Sequence, residues 1–351
     1  MCEPTTDPAD VLAATPRPAP GAAVDPIGLA PVDEVEIVTL VDNTYDALLA
    51  GDDRVRRPAR TGTETVAPQF EGGRTISGLV AEHGFAALVR VRRGQNTTTL
   101  LFDTGQSPDA MVRNADRLGV SFSDVHSVIL SHGHFDHTGG LAGLAGRRGV
   151  RALPMVVHPL VWTRRRLAVP GREPEEMPTL SKRALAGEGY DVIERRQPSL
   201  LLDDSVLITG EVDRTTEYER GMPPPHQAWN GTDWAHDPLV LDDQALVVHV
   251  RGRGLVVLTG CGHAGAVNIV RHAQRLTGVS QLCALIGGFH LGGPAFEPII
   301  APTTAALTAL SPDLIVPGHC TGWKAQHALA AALPGAWVQS STGTAYHLSA
   351  A

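Results

Sequence analysis

The chain has 351 residues, 43% of them apolar, with 37 glycines, 26 prolines and a net charge of -8, enough for one large enzyme core or two closely joined layers. An acidic balance argues against a nucleic-acid partner, and no run reaches the roughly 20 consecutive apolar residues that a membrane helix needs. The four cysteines, Cys2, Cys261, Cys283 and Cys320, show no short-range pairing, and the first 30 residues lack a basic region followed by an apolar stretch, so a reducing, cytoplasmic setting is expected.

In chain order, Met1 to Pro31 is rich in Pro, Ala, Thr and Asp without a period, which predicts a flexible tail or a strap, followed by a single domain over residues 32–351. Val35 to Val41 is an apolar strand ending at Asp42 and Asn43. Gly84 to Arg92 and Thr97 to Phe102 form a hairpin joined through Gly94 and Gln95, and its second strand delivers Asp103, Thr104 and Gly105. Asp109 to Leu118 is predicted as a helix and Val125 to Leu130 as a buried strand, a strand, helix, strand order that points to an α/β sandwich.

That strand runs into SHGHFDHTGG, which packs His132, His134, Asp136 and His137 into six residues. Imidazole and carboxylate are donors suited to Zn²⁺ or Fe²⁺, and their close spacing on a strand-to-helix loop lets them converge from different sides. The following glycines permit close approach of the backbone, and Thr138 to Leu144 starts a helix. Four good ligands on one turn are hard to explain as packing, so this loop is the primary metal-site candidate.

Farther on, Leu153 to His158, Leu207 to Thr209 and Ala245 to Val250 read as strands. Segments around 159–190 and 211–240 read as long loop insertions, and loops on a rigid scaffold commonly wall a substrate site. Trp229, Trp234, Tyr218 and His226 either line such a pocket or pack the loop on the body. The strand in LVVLTGCGHAGAVN ends in Cys261 and His263 before a helix near Ala264. Leu282 to Gly287 ends at Phe289 and His290, and Asp313 to Val316 ends in PGHCTG with His319. Four strands thus deliver histidines just past their C-terminal ends, where ligands gather in α/β proteins.

Blander readings apply elsewhere. Lys182 and Lys324 are the only lysines, so the Arg54, Arg56, Arg57, Arg60 and Arg164, Arg165, Arg166 clusters reflect composition and solvated faces before an anion site. His158, His226 and His236 lack a strand-end context and read as surface residues. The carboxylates in Asp242 to Leu246 meet arginines or cap backbone N–H groups. Lys324 lies on a solvated face of a last helix from Trp323 to Leu333, and Thr344 to Leu348 closes the fold as an edge strand.

Taken together, the HxHxDH run, Asp103-Thr-Gly, TGCGHAG and PGHCTG resemble the metallo-β-lactamase-fold hydrolases from about Val35 to the C-terminus, and within them the dihydropterin-ribofuranosylaminobenzene phosphate synthase-like branch. The resemblance implies a four-layer αββα sandwich carrying two metal ions, zinc first, with iron or manganese as alternatives. It implies His132 and His134 on the first metal, Asp136, His137 and His319 on the second, and Asp103 supporting the loop from behind. His263 is the choice for the remaining ligand of the first metal, with Glu211 as the alternative. Cys261 stands where many relatives carry a bridging aspartate, as either a thiolate ligand or an inert thiol.

Metal ions lower the pKa of coordinated water and polarise the group under attack, so the resemblance implies hydrolysis of a small anionic phosphoester or phosphodiester ahead of a lactone or thioester. Asp136 would orient or deprotonate the nucleophile. His290 would donate a proton to the leaving group or brace a ligand. A di-iron redox enzyme and a non-catalytic metal-stabilised biosynthetic partner are the other readings, and frequency alone allows a homodimer without specifying one.

Overall fold

The computed structural model describes residues 25–59, 63–149 and 152–351. Most of the predicted 1–31 tail therefore lies outside the described residues. Its last part runs along the body: the Ile27 N–H donates to Leu276 O at 2.6 Å, Ala30 to Asp204 O at 2.8 Å, and Leu29 is buried.

Two sheets form the centre. Numbering only their strands, the first sheet holds β1 (Glu34–Val41), β2 (Val55–Arg56), β3 (Ala86–Arg93), β4 (Asn96–Phe102), β5 (Val125–Ile129), β6 (Leu153–Val157) and β7 (Tyr190–Glu194). The second holds β8 (Ser199–Leu201), β9 (Val206–Ile208), β10 (Ala245–Val250), β11 (Gly254–Thr259), β12 (Leu282–Gly288) and β13 (Leu314–Gly318), and the C-terminal β14 (Ala345–Ser349) returns to the first. The orders are β7-β6-β5-β4-β3-β1-β14-β2 and β8-β9-β10-β11-β12-β13. Strands β4 to β7 are mutually parallel, as are β11 to β13, while β1, β3 and β14 pair antiparallel. The predicted edge strand β14 is therefore not at the edge, because β2 pairs to its outer side with Val55 opposite Tyr346.

Alternation along the strands explains the layers. One face of each sheet contributes Ile37, Val89, Leu100, Phe102, Leu246, Val248, Val256, Ile286 and Val316 to a shared core between the sheets. Opposite faces pack on helices. On the first sheet these are α1 (Ala110–Leu118) and α3 (Leu141–Arg148), which follows the short α2 (Phe135–Thr138). On the second they are α5 (Ala266–Thr277), α6 (Ile300–Leu310) and α7 (Trp323–Ala332), α4 being the short Lys182–Gly187. The result is the αββα sandwich. Each fully buried Val, Leu or Ile stabilises it by about 1.5–3 kcal/mol relative to exposure, so the core has a driving force independent of any metal.

The two insertions are more ordered than loops. Arg165–Leu167 and Glu175–Glu176 from the first join His226–Trp229 and Trp234–His236 from the second in one four-stranded sheet. Among the described residues, no helix is long and apolar enough to cross a membrane.

Candidate metal centre

The fold gathers the donor residues because parallel strands share a C-terminal edge. β5 leads through Ser131 into His132 and His134, and one turn of α2 presents Asp136 and His137. β11 leads to Cys261 and His263, β12 to His290, and β13 to His319. Three residues beside or within this centre, Asp103 (φ 58°), His290 (φ 45°) and His319 (φ 46°), adopt left-handed backbone, a cost of about 1–3 kcal/mol each that the surrounding core must sustain. Close packing matters too: a Cβ on Gly133 would lie 2.3 Å from Val161 O, and one on Gly260 would lie 2.2 Å from Ser131 Oγ.

Asp103 organises the loop. Its buried carboxylate accepts from Ser131 N–H, from Ser131 Oγ and from His137 Nδ1, each at 2.7 Å. Because Ser131 gives its hydroxyl proton to Asp103, its oxygen accepts from His132 Nδ1 at 2.9 Å. His319 Nδ1 likewise lies 3.0 Å from Asn43 Oδ1, and Asp42 accepts the His319 N–H at 2.8 Å. In neutral rings each of these contacts places the hydrogen on Nδ1 and leaves the Nε2 lone pair of His132, His137 and His319 turned toward the centre.

Two donor groups result. His132 Nε2 lies 3.1 Å from His263 Nε2 and 2.9 Å from His134 Nδ1. Asp136 Oδ2 lies 3.3 Å from His319 Nε2 and 3.6 Å from His137 Nε2. Between them, Cys261 Sγ is 3.3 Å from His137 Nε2 and 3.2 Å from His319 Nε2, and its donor atom falls within 4.8 Å of those of His132 and His263. Donor atoms converging this closely from separate strands fit a bound cation, and the mixed imidazole, carboxylate and thiol set suits zinc or iron.

Electrostatics divides the groups. Burial, reinforced by neighbouring imidazoles, holds His132, His134 and His263 well below the ordinary histidine pKa, so these rings are neutral. Burial would also lower His137, but Asp136 and Asp103 outweigh it and bring it up to about 9. For Asp136, burial is outweighed by His137 and His319, which hold the carboxyl far below its usual range. Burial pushes the Cys261 thiol well up, so its ionisation calls for a cation beside it.

His290 sits next to this centre, its ring centroid 4.3 Å from that of His263 and its Nδ1 buried without a hydrogen-bond partner. Glu211 is placed differently from the alternative ligand role: it pairs with Arg196 at 2.6 Å and lies 3.4 Å from His158 Nε2, outside the donor groups. Of the three histidines expected on the surface, only His236 is exposed. His158 is buried, its Nδ1 accepting from Leu160 N–H, and His226 is buried with Nε2 3.1 Å from His134 Nε2, burial depressing its pKa. The strand pairing between the insertions, invisible as a local pattern, carries His226 inward.

Asp242 takes both expected roles, accepting from Gly133 N–H at 2.8 Å and from Arg165, while Asp243 caps Ala264 N–H and is raised by burial to about 7. Lys324 pairs with Glu297 at 2.7 Å on the surface. Sequence reasoning missed His83, whose 62% exposed side chain lies 3.7 Å from Asp136 and whose ring approaches His319 to 5.0 Å, at the mouth of the centre. Its position just before β3 carried no metal-ligand spacing. Asn43, seen only as a turn, proves to orient His319.

A sandwich whose two sheets meet at such a donor cluster defines a class, and the family description "Metallo-beta-lactamase superfamily" matches residues 80–267. The chain belongs to that superfamily. Among its relatives, the 7,8-dihydropterin-6-methyl-4-(beta-D-ribofuranosyl)-aminobenzene-5'-phosphate synthase of Methanocaldococcus jannaschii is 30% identical over 258 residues, covering 70% of this chain and 83% of that protein. An uncharacterized protein of the same organism is 29% identical over 248 residues, 70% of this chain and 86% of its own. In solved structures, a metal-dependent hydrolase of the beta-lactamase superfamily superposes with a TM-score of 0.66 at 23% identity, over 90% of this chain and 99% of that one, which establishes the shared fold.

Proposed function

We propose that the protein is a metal-dependent hydrolase of a small anionic phosphoester or phosphodiester. The observation that carries this reading is the convergence of inward-facing imidazole nitrogens on both sides of Cys261, with Asp136 alongside. In this reading His132, His134 and His263 would hold one divalent cation and Asp136, His137 and His319 a second, with Cys261 available to either; zinc is the first choice. Such cations supply an acidified water and a polarised electrophile.

The chain's own residues then perform the remaining work. Asp136, ionised throughout the neutral range, would accept a hydrogen bond from the attacking water and so orient it. Its carboxylate lies near the partly exposed His83, from which side substrate enters. His290, with Nδ1 unpartnered beside His263, donates a proton toward the leaving group. A phosphate-bearing substrate is supported by the name of the Methanocaldococcus relative, which carries a 5'-phosphate. The same name specifies a synthase, and this favours a second reading in which the centre serves a biosynthetic bond change. A thiol at the centre must stay reduced, and this supports a cytoplasmic setting.

Elemental analysis of protein purified without added metal, paired with turnover assays on phosphodiester, phosphomonoester, lactone and thioester substrates, tests the proposal. About two zinc ions per chain with chelator-sensitive phosphoester turnover is the expected result. Iron without hydrolysis overturns it, as does zinc-loaded protein inert toward every ester while active in a synthase assay.

A further inference from the structure

His226 belongs to the insertion sheet, yet its ring reaches the donor loop. Its Nδ1 lies 3.0 Å from the carbonyl oxygen of Asp237, which can only accept, so in the neutral ring Nδ1 carries the hydrogen and Nε2 is an acceptor. That acceptor faces His134 Nε2 at 3.1 Å. His134 must therefore hold its hydrogen on Nε2, which leaves the Nδ1 lone pair directed at the space it shares with His132 Nε2, 2.9 Å away.

We propose that His226 is a positioning residue that fixes the His134 tautomer and ring orientation, so that the insertion sheet sets the metal affinity of the histidine group. A second tie between the same parts supports it. Arg165, on the strand Arg165–Leu167, bonds Asp237 through Nε at 3.0 Å and Asp242 through both terminal nitrogens, and Asp242 accepts the N–H of Gly133, the residue between His132 and His134. Arg165 and Asp242 are both buried, and a bidentate guanidinium–carboxylate contact of this kind is directional. The sheet thus grips the donor loop at His134 and at Gly133 while Asp103 grips it at Ser131 and His137.

The inference rests on His134 serving as a ligand, as under the proposed function, and its test separates the two. Zinc affinity is measured by chelator competition on the full chain for wild type, His226→Leu and His226→Gln, with thermal unfolding of each metal-free protein alongside. The Gln side-chain oxygen reaches the place of Nε2 and still accepts from His134, whereas Leu offers no acceptor. His226→Leu is expected to weaken one zinc by about 10–100-fold, and His226→Gln to remain within about threefold of wild type. Unchanged affinity in His226→Leu overturns the inference, as does equal weakening in both variants together with a lowered metal-free Tm, which marks a packing role only. Failure of wild type itself to bind zinc or another divalent ion refutes the functional reading instead.

Discussion

The two donor groups on either side of Cys261 solve the same task with opposite electrostatics. His132, His134 and His263 are neutral by burial and mutual proximity, so a cation entering there displaces no imidazole proton. Asp136, His137 and His319 surround a carboxylate, and His137 is held protonated by Asp136 and Asp103 up to about 9. A cation entering that side must replace the proton as the partner of Asp136. What this teaches is that the charge state of a donor group depends less on its residue types than on which carboxylates the fold leaves beside them. It also means that the two sides respond differently to acid and to mutation.

The largest expected effect comes from removing a donor. His134→Ala should reduce turnover about a thousandfold or more while circular dichroism shows the fold retained, because the apolar core does not rest on the metal; full activity in metal-free mutant protein breaks the mechanism. Gly260→Ala strikes the support of both groups, since its new Cβ would meet Ser131 Oγ and Asp103 Oδ2 at 2.2 and 2.7 Å. Destabilisation of about 1–3 kcal/mol in denaturant unfolding is expected, with lower metal content.

Proton linkage sharpens the comparison. His137 carries its proton below about 9 in the metal-free protein, so metal affinity at the carboxylate side rises with pH toward that value and falls as pH drops below it. The imidazoles of the histidine side, already neutral, add no such dependence across the neutral range. Calorimetric titration of Cys261→Ser, which takes the thiol proton out of the count, in buffers of different ionisation enthalpy at neutral pH should show about one proton released by one metal and almost none by the other. Equal release from both sides contradicts the division. Cys261→Ser should abolish the thiolate-to-metal charge-transfer absorption of cobalt-loaded protein, whichever side is filled. At the small end, Lys324→Ala removes an exposed pair with Glu297 and should alter stability by no more than about 0.5 kcal/mol, with turnover unchanged.

The strands that deliver donors were legible because each is an apolar run followed at once by polar residues, as in Val125 to Ser131 or Leu255 to Cys261. The HxHxDH spacing made the first donors legible as well. The insertion sheet was not, since its strands are two to four residues long and polar, such as Glu175–Glu176 and His226–Trp229. Their pairing joins segments 61 positions apart, as between Arg166 and Gln227, and no local period encodes it. His226 was misplaced for that reason. Helix α6, IAPTTAALTAL, escaped because it lacks a charged face to set a period. Glu211 was weighed as a ligand on its strand-end position alone, and only the fold reveals Arg196 as its partner.

The pairing of β1 with β14 carries a consequence for how the protein is made. Glu34 lies opposite Ser349, and the turn after β1 is closed by Thr342, a contact spanning 300 positions. His319 in turn depends on Asp42 and Asn43 at the end of β1. On the ribosome, β1 therefore waits with one edge unpaired until the segment from Thr342 through β14 emerges, and the end of β1 that holds His319 stays unfinished until then. Metal capture at that side therefore follows synthesis of β14, and a nascent chain stalled before β14 would hold most of the sandwich with an unfinished reactive edge.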